Sequence, residues 1–414
     1  MKLWVFIIRR LVLLVPVLIG VMTITFILLQ ALPLQERLDA CYPYNPHNHP
    51  PNSVVEHICG YDQPIYVQYA HYVGNIFTMN WGYVSLNSCI GATSCPSGGD
   101  TTILQPGISL CKSDNNGSCP VLFLIGAWLP YTIELAFLSL LLIIVLSLPL
   151  GTYSAVRRNR PLDQSTRVFS FSGYALPSFL LASFVFIGLY YLFLNTSLSC
   201  NGTALTYSVL GNWPPGTYFN PAITCLAPSG GVLPFMDPAG ITTPTHIPLL
   251  DALIYAVTHG GPPGYPYYYW QILGDGFLRL LFPALVIAYG SVAVILRFVR
   301  NSTLEVMNQD YVRTARAKGV PERFVIKRHV GRTSMNATVT VLGLTFAFFL
   351  GGFAVIETVF ELYGVGRLFT YALLPPVDPG VLTASTLLIT ILVVIANIIV
   401  DILYAYLDPR VRLG

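Results

Sequence analysis

Six runs of the chain, at residues 11–33, 130–156, 168–194, 280–296, 338–360 and 381–400, are apolar over about the length that a bilayer demands. Roughly 20 consecutive apolar residues carry an α-helix through the hydrocarbon core, and there every backbone polar group must be bonded within the protein. The runs therefore predict an all-α polytopic membrane protein with six transmembrane helices. Composition agrees, since 54% of the 414 residues are hydrophobic and 10% are charged, against about 25% charged in soluble domains. The first run follows Lys2, Arg9 and Arg10, as the core of a signal peptide would. It is too long for one, and no small-x-small cleavage site follows it through Gln30, Ala31, Leu32, Pro33 and Leu34. It is expected to remain as an uncleaved helix.

Positive charge sets the orientation, because basic residues gather on the cytoplasmic side. With both termini inside, the inner segments hold Lys2, Arg9, Arg10, Arg157, Arg158, Arg160, Arg167, Arg297, Arg300, Arg313, Arg316, Lys318, Arg323, Lys327, Arg328, Arg332, Arg410 and Arg412, which is 18 of the 22 basic residues. Arg37, Lys112, Arg279 and Arg367 fall outside. The expected organisation is a first helix in 1–33, an extracellular region with an insertion at 34–129, and helices two and three in 130–194. A second extracellular loop with an insertion follows at 195–277. Helices four to six occupy 278–414, with a cytoplasmic loop at 301–334.

The two outer regions hold every cysteine: Cys41, Cys59, Cys89, Cys95, Cys111, Cys119, Cys200 and Cys225. An even set confined to the outside reads as disulfides in an oxidising compartment. Short loops favour Cys41–Cys59, Cys89–Cys95, Cys111–Cys119 and Cys200–Cys225, by proximity alone. Zinc is the rival reading, and no C-x-x-C pair supports it. His47 and His49, one residue apart in a proline-rich loop, read as solvated rather than as ligands. Asn116, Asn195 and Asn201 begin glycosylation sequons on the outer side. Asn301 and Asn336 also match the pattern, on the inner side, so the pattern alone is weak. The aromatic run at 262–270 reads as interfacial or loop packing, with a partner-receiving surface as the sharper alternative.

Enzyme chemistry has no foothold. There is no G-x-x-x-x-G-K-[ST] phosphate loop, no H-E-x-x-H and no G-x-S-x-G; Lys112-Ser113 lacks the glycines. The spans carry few acids, namely Glu134, Glu357 and Asp401. Such groups are functional candidates by default. Glu134 and Glu357 are expected within a turn or two of the outer surface, where a carboxylate reaches water. Asp401 is expected near Arg410 and Arg412. A structural or ion-pair role is the reading taken for all three.

One cationic stretch separates the fourth and fifth runs: "QDYVRTARAKGVPERFVIKRH", residues 309–329. Good helix formers and an early acid, Asp310, predict a helix over 309–318. Gly319 suits the C′ position, and Pro321 suits the first residue of a second helix with Glu322 in its first turn. The small residues Ala315, Ala317 and Gly319 would let another protein's backbone approach. From the residues alone this is either an ordinary positive-inside loop or a docking element.

That stretch resembles the EAA-type coupling loop of ABC importer permeases, in the form of the dipeptide/oligopeptide/nickel branch. Arg313, Thr314 and Ala315 fill the first triplet and Gly319 is its glycine. Further segments match in order: "IRRLVLLVPVLIGVMTITFILL", "YDQPIYVQYAHYVGNIFTMNWGYV", "LPLGTYSAVRRNRPLDQSTR", "GYALPSFLLASF", "LLFPALVIA", "FLGGFAVIETVFELYGVGRL" and the C-terminal "IVDILYAYLDPRVR". The resemblance spans roughly three-quarters of the chain. Departures are "PLQE" at 33–36, "LYGVG" at 362–366, two enlarged outer regions, and Ala337 where a proline is usual, which predicts a less kinked start to the fifth helix.

The resemblance implies a type I ABC importer permease fold, here with two long disulfide-bearing extracellular loop regions, in the plasma membrane. It implies the permease subunit of an ATP-driven importer, not an enzyme. A second homologous permease would complete the pore, and an extracellular binding protein would deliver short peptides. ATP and magnesium would be bound by two separate cytoplasmic ATPase subunits, so this chain would hold no cofactor and no metal. Asp310, Tyr311, Arg313, Thr314, Ala315, Arg316, Ala317, Lys318, Gly319, Pro321 and Glu322 would dock on the ATPase. Oligosaccharides or nickel are the alternative cargoes. A free-standing channel or secondary carrier is the reading of another class, and it would predict inverted repeats or mid-membrane ion sites.

Overall fold

The computed structural model describes residues 3–41, 51–79, 81, 121–195, 248–258, 268–351, 353–374 and 377–407, and all of its elements among them are helical. In chain order these are α1 (Leu3–Gln30), α2 (Leu34–Cys41), α3 (Asn52–Ile58), α4 (Ile65–Phe77), α5 (Val121–Val156), α6 (Pro161–Ala175), α7 (Ser178–Asn195) and α8 (Pro248–Thr258). They continue as α9 (Tyr268–Met307), α10 (Asp310–Ala317), α11 (Glu322–Phe324), a π-helical turn (Val325–Val330), α12 (Gly331–Leu350), α13 (Ala354–Val359), α14 (Val365–Ala372) and α15 (Pro379–Leu407).

Among the described residues, three helices are each long and apolar enough to cross a membrane: Leu124–Val156, Leu280–Met307 and Pro379–Val400. Two bent pairs raise that to as many as five, and Val15–Gln30 of α1 is a shorter apolar stretch. Two of the runs expected as single helices are thus broken. The third bends by 98° between Pro161–Gly173 and Ser178–Leu189. Pro177 is the cause: Leu176 before it is extended, at φ −93° and ψ 115°, because a proline ring excludes its predecessor from the α region. The entry to the fifth run is not the less kinked one expected from Ala337: the chain bends by 47° there, between Glu322–Met335 and Thr338–Leu350. The helix then ends at Leu350, and α13 is a separate short helix. The fourth run is longer than its apolar stretch, a single helix of 40 residues.

That long helix, α9, is the centre of the packing, touching α5, α6, α7, α8 and α12. Its Leu280, Ile287, Ile295 and Val299 bury with Leu135 and Ile143 of α5 and Phe349 of α12. The helices meet closely because glycines open the crossings. A Cβ on Gly151, Gly173 or Gly343 would collide with Val299, Ala293 or Val400 respectively, the small-residue contact typical of membrane helices. A second core joins α5, α14 and α15 around Trp128, Leu124, Val365, Leu368 and Val381. The first helix, α1, packs on α15 and is braced by α4, where Phe26 meets Tyr69 edge-on at 5.3 Å and Thr23 Oγ1 lies 2.7 Å from the Tyr69 hydroxyl.

The acid Glu357 does not reach water: it is fully buried. The reason lies at the start of α14, whose first backbone N–H groups have no partner within their own helix. The amide of Arg367 donates to Glu357 Oε2 at 2.9 Å, and the amide of Val365 donates to Thr132 Oγ1 at 2.8 Å. The Thr132 hydroxyl in turn donates to Glu357 Oε1 at 2.9 Å. The carboxyl therefore caps a helix from outside it, and Gly364 leaves the space for it, since a Cβ there would strike the carboxyl carbon. Glu134 is also buried, accepting from the backbone amide of Leu249 at 2.6 Å.

Of the cysteines, Cys59 is disulfide-bonded. Cys41 ends α2, but its side chain and the other six cysteines lie outside the described residues. So do Asn116, Asn201 and the side chains of Asn195 and Asp401.

Candidate functional site

The cationic stretch folds as a helical hairpin on the end of α9. Gln309 is extended, at φ −72° and ψ 148°, and starts α10 without a side-chain cap; Asp310 supplies the negative charge in the first turn. At the other end the amide of Gly319 donates to the carbonyl of Arg316 at 2.9 Å, and that of Val320 donates to the carbonyl of Ala315 at 3.3 Å. These two bonds form a Schellman motif, which needs a left-handed residue at C′. Gly319 supplies it, with φ +77°. Pro321 then takes the N-cap position of α11, one residue earlier than the first helical position expected from sequence, and Glu322 opens the helix.

Two further contacts close the hairpin. Arg316 clasps Glu322 across the turn through Nε to Oε2 at 3.1 Å and Nη2 to Oε1 at 2.7 Å. The hydrogen bonds that it donates to the Glu322 carboxylate hold the Arg316 guanidinium above its ordinary pKa. Both partners are exposed, so the clasp sets geometry and adds about 1 kcal/mol or less. The larger contribution is apolar. Val312 and Ala315, three residues apart on one face of α10, bury with Val306 of α9 and with Val325 and Val330 of the π-helical turn. Each fully buried valine side chain stabilises by roughly 1.5–3 kcal/mol, which is enough to hold so short a helix in one place.

Of the predicted docking residues, Asp310, Tyr311, Arg313, Thr314, Arg316, Ala317, Lys318, Gly319, Pro321 and Glu322 are exposed. Ala315 is not: it faces its own chain, so the open small-residue surface comes from Ala317 and Gly319. Phe324 is a second exposed aromatic ring of the hairpin, at 52% exposure against 44% for Tyr311. Neither Phe324 nor the valine anchor figures in the sequence reading; the i, i+3 spacing of Val312 and Ala315 is the signal that pointed to it.

Behind the hairpin lies a polar clamp that the sequence reading also missed. Asp163, with a fully buried side chain, accepts from Arg300 Nε at 2.6 Å and from Arg167 Nη2 at 2.5 Å. It also accepts from the Ser154 hydroxyl at 2.8 Å and from the Asn159 amide at 2.9 Å. One carboxylate thereby ties the end of α5, the start of α6 and the final turns of α9. Its signal in the sequence is that it is the single acid among the basic residues of 150–170.

The chain resembles known proteins over nearly its whole length. Residues 147–413 match the family model described as binding-protein-dependent transport system inner membrane component, and residues 3–97 match the model of the N-terminal part of such components. The oligopeptide transport system permease protein AppB of Bacillus subtilis is 29% identical over 98% of this chain and 99% of its own. A probable D,D-dipeptide transport system permease protein, DdpB of Escherichia coli, is 29% identical over 88% of this chain and 86% of its own. A putative peptide permease protein of Brucella suis is 34% identical over 70% of each chain.

Proposed function

The chain belongs to the family of binding-protein-dependent transport system inner membrane components, and from that premise we propose that it is one of two permease subunits of an ATP-driven importer of short peptides. The peptide class is supported by the names of its relatives, an oligopeptide, a D,D-dipeptide and a peptide permease. In this reading the protein spans the membrane six times, α1 and the two bent pairs joining the three long helices, with both termini in the cytoplasm. An extracellular binding protein delivers the solute. ATP and magnesium are handled by two separate cytoplasmic ATPase subunits, and the chain itself does transport rather than chemistry.

The observation that carries the reading is the hairpin's construction. Its buried face, Val312 and Ala315, is fastened to α9 and to the turn leading into α12, while Tyr311, Ala317, Lys318, Gly319 and Phe324 remain outward. A rigid projection with an open, small-residue tip is what a mechanical contact requires. ATP-driven closure of the ATPase pair would displace it, and α9 and α12, joined directly to its two ends, would move with it.

The test is purification of the chain with its expected partners and reconstitution into vesicles. The expected result is co-purification with an ATPase pair, and peptide uptake that vanadate abolishes and that collapse of ion gradients leaves intact. Uptake that follows an ion gradient and needs no ATPase would support the carrier reading instead.

A further inference from the structure

Two cavities share one face of α9. The first, of about 470 Å³, lies between α7, α9 and α12 and is lined in part by Ser178, Ser291 and Thr345. The second, of about 630 Å³, continues toward the hairpin between α6 and α9 and includes Ser170, Arg297 and Asn301. Val294 borders both. On α9 the lining runs Gly290, Ser291, Val294 and Arg297, a spacing that keeps them on one helical face.

Three features mark this groove as more than a surface irregularity. Its opposed walls in the first cavity, α9 and α12, are the two helices attached to the ends of the hairpin, so any displacement of the hairpin changes its width. The hydroxyls of Ser178 and Ser291 open into it without a hydrogen-bond partner among the described residues, whereas Thr345 bonds its own helix at Val341. Most telling is Arg297. Its neighbours Arg167 and Arg300 both bind Asp163, yet Arg297 is exposed and makes no ion pair among the described residues. No acid other than Asp163 lies in residues 150–170 or 290–301. The second cavity thus keeps two positive charges in excess, one of them the exposed Arg297 guanidinium, just past the inner end of the apolar run 280–296. A cleft lined by one sign of charge concentrates solutes of the other sign.

Resting on the peptide-importer reading, we infer that this groove is the subunit's share of the solute path and that Arg297 receives the C-terminal carboxylate of a peptide as it leaves toward the hairpin side. A guanidinium presents two parallel N–H donors that match a carboxylate. The site is open to solvent, so the pair is weak enough to release its solute, as conduction requires. Arg297 is then a specificity-determining residue, acting after the binding protein has delivered its cargo.

The experiment uses the complete transporter in proteoliposomes, with two peptides that the binding protein delivers: one with a free C-terminal carboxylate and its C-terminally amidated analogue. Uptake is expressed as the ratio of variant to wild type for each, in vesicles of neutral lipid alone and in vesicles containing phosphatidylglycerol. Arg297→Gln is expected to lower uptake of the free-carboxylate peptide about fivefold, the size of a partly exposed ion pair, and to leave the amidated peptide near wild type in both lipids. Arg297→Lys, which keeps the charge but not the paired donors and guards against misfolding as the explanation, is expected to fall between Arg297→Gln and wild type for the free-carboxylate peptide. Equal loss for both peptides, or no loss for either, overturns the assignment. Loss confined to vesicles with phosphatidylglycerol also overturns it, and gives Arg297 to a lipid phosphate instead. A wild-type transporter that moves neither peptide would sink the importer reading itself, which the other outcomes leave standing.

Discussion

Gly319 sits at φ +77°, and nothing lies within 4 Å of where its Cβ would stand. Space is therefore open at this position and the backbone is the constraint. A left-handed conformation costs an ordinary residue about 1–2 kcal/mol, and asparagine tolerates it better than most. Gly319→Asn should accordingly lose less than Gly319→Ala in the protection of the Gly319 and Val320 amides from hydrogen exchange. Gly319→Trp adds bulk to the exposed tip as well as strain. It should leave the protein inserted in the membrane while reducing ATPase co-purification or solute-stimulated ATP hydrolysis; intact uptake and hydrolysis in that variant would remove the hairpin from the docking role. Lys112, in the outer region, serves as the control whose replacement should change neither.

At the scale of elements, the clamp around Asp163 decides how the hairpin's base is held. Asp163 is wholly buried, Arg300 is 13% exposed and Arg167 is 46% exposed. Removing one member of a buried pair leaves an uncompensated charge and costs about 3–5 kcal/mol, whereas an exposed pair is worth about 1 kcal/mol or less. Thermal unfolding in detergent should therefore rank Asp163→Leu and Arg300→Gln well below Arg167→Gln. Equal losses for the two arginine variants would mean that the charge is not held as the geometry implies. Bends are settled at this scale too. Pro177 makes the 98° break between α6 and α7 legible once the α region is denied to Leu176, but the 47° bend near Ala337 has no proline. The π-helical turn Val325–Val330 lies within the first of its two segments, ahead of the break.

At the scale of the whole molecule, the distribution of arginine and lysine makes orientation a direct prediction. A cysteine placed at the exposed Lys318 should react with a membrane-impermeant maleimide only after the membrane is opened, and one placed at the exposed Tyr66 should react in intact cells; the reverse pattern would invert the topology. Hydropathy, charge bias and the glycine turn are local properties, readable from a residue and its near neighbours, and by themselves they determined that the chain is a membrane-spanning helical protein with a basic, Gly-centred hairpin between two of its helices. Which side chains meet is a different matter, because it depends on which helices become neighbours. Thr132 reaches Glu357 across 225 positions and Arg300 reaches Asp163 across 137, and no local pattern encodes either pairing. For that reason only the tertiary structure turned Ala315 inward, buried Glu357 as the cap of α14, and gave Asp163 to Arg300 and Arg167, leaving Arg297 with no ion pair among the described residues.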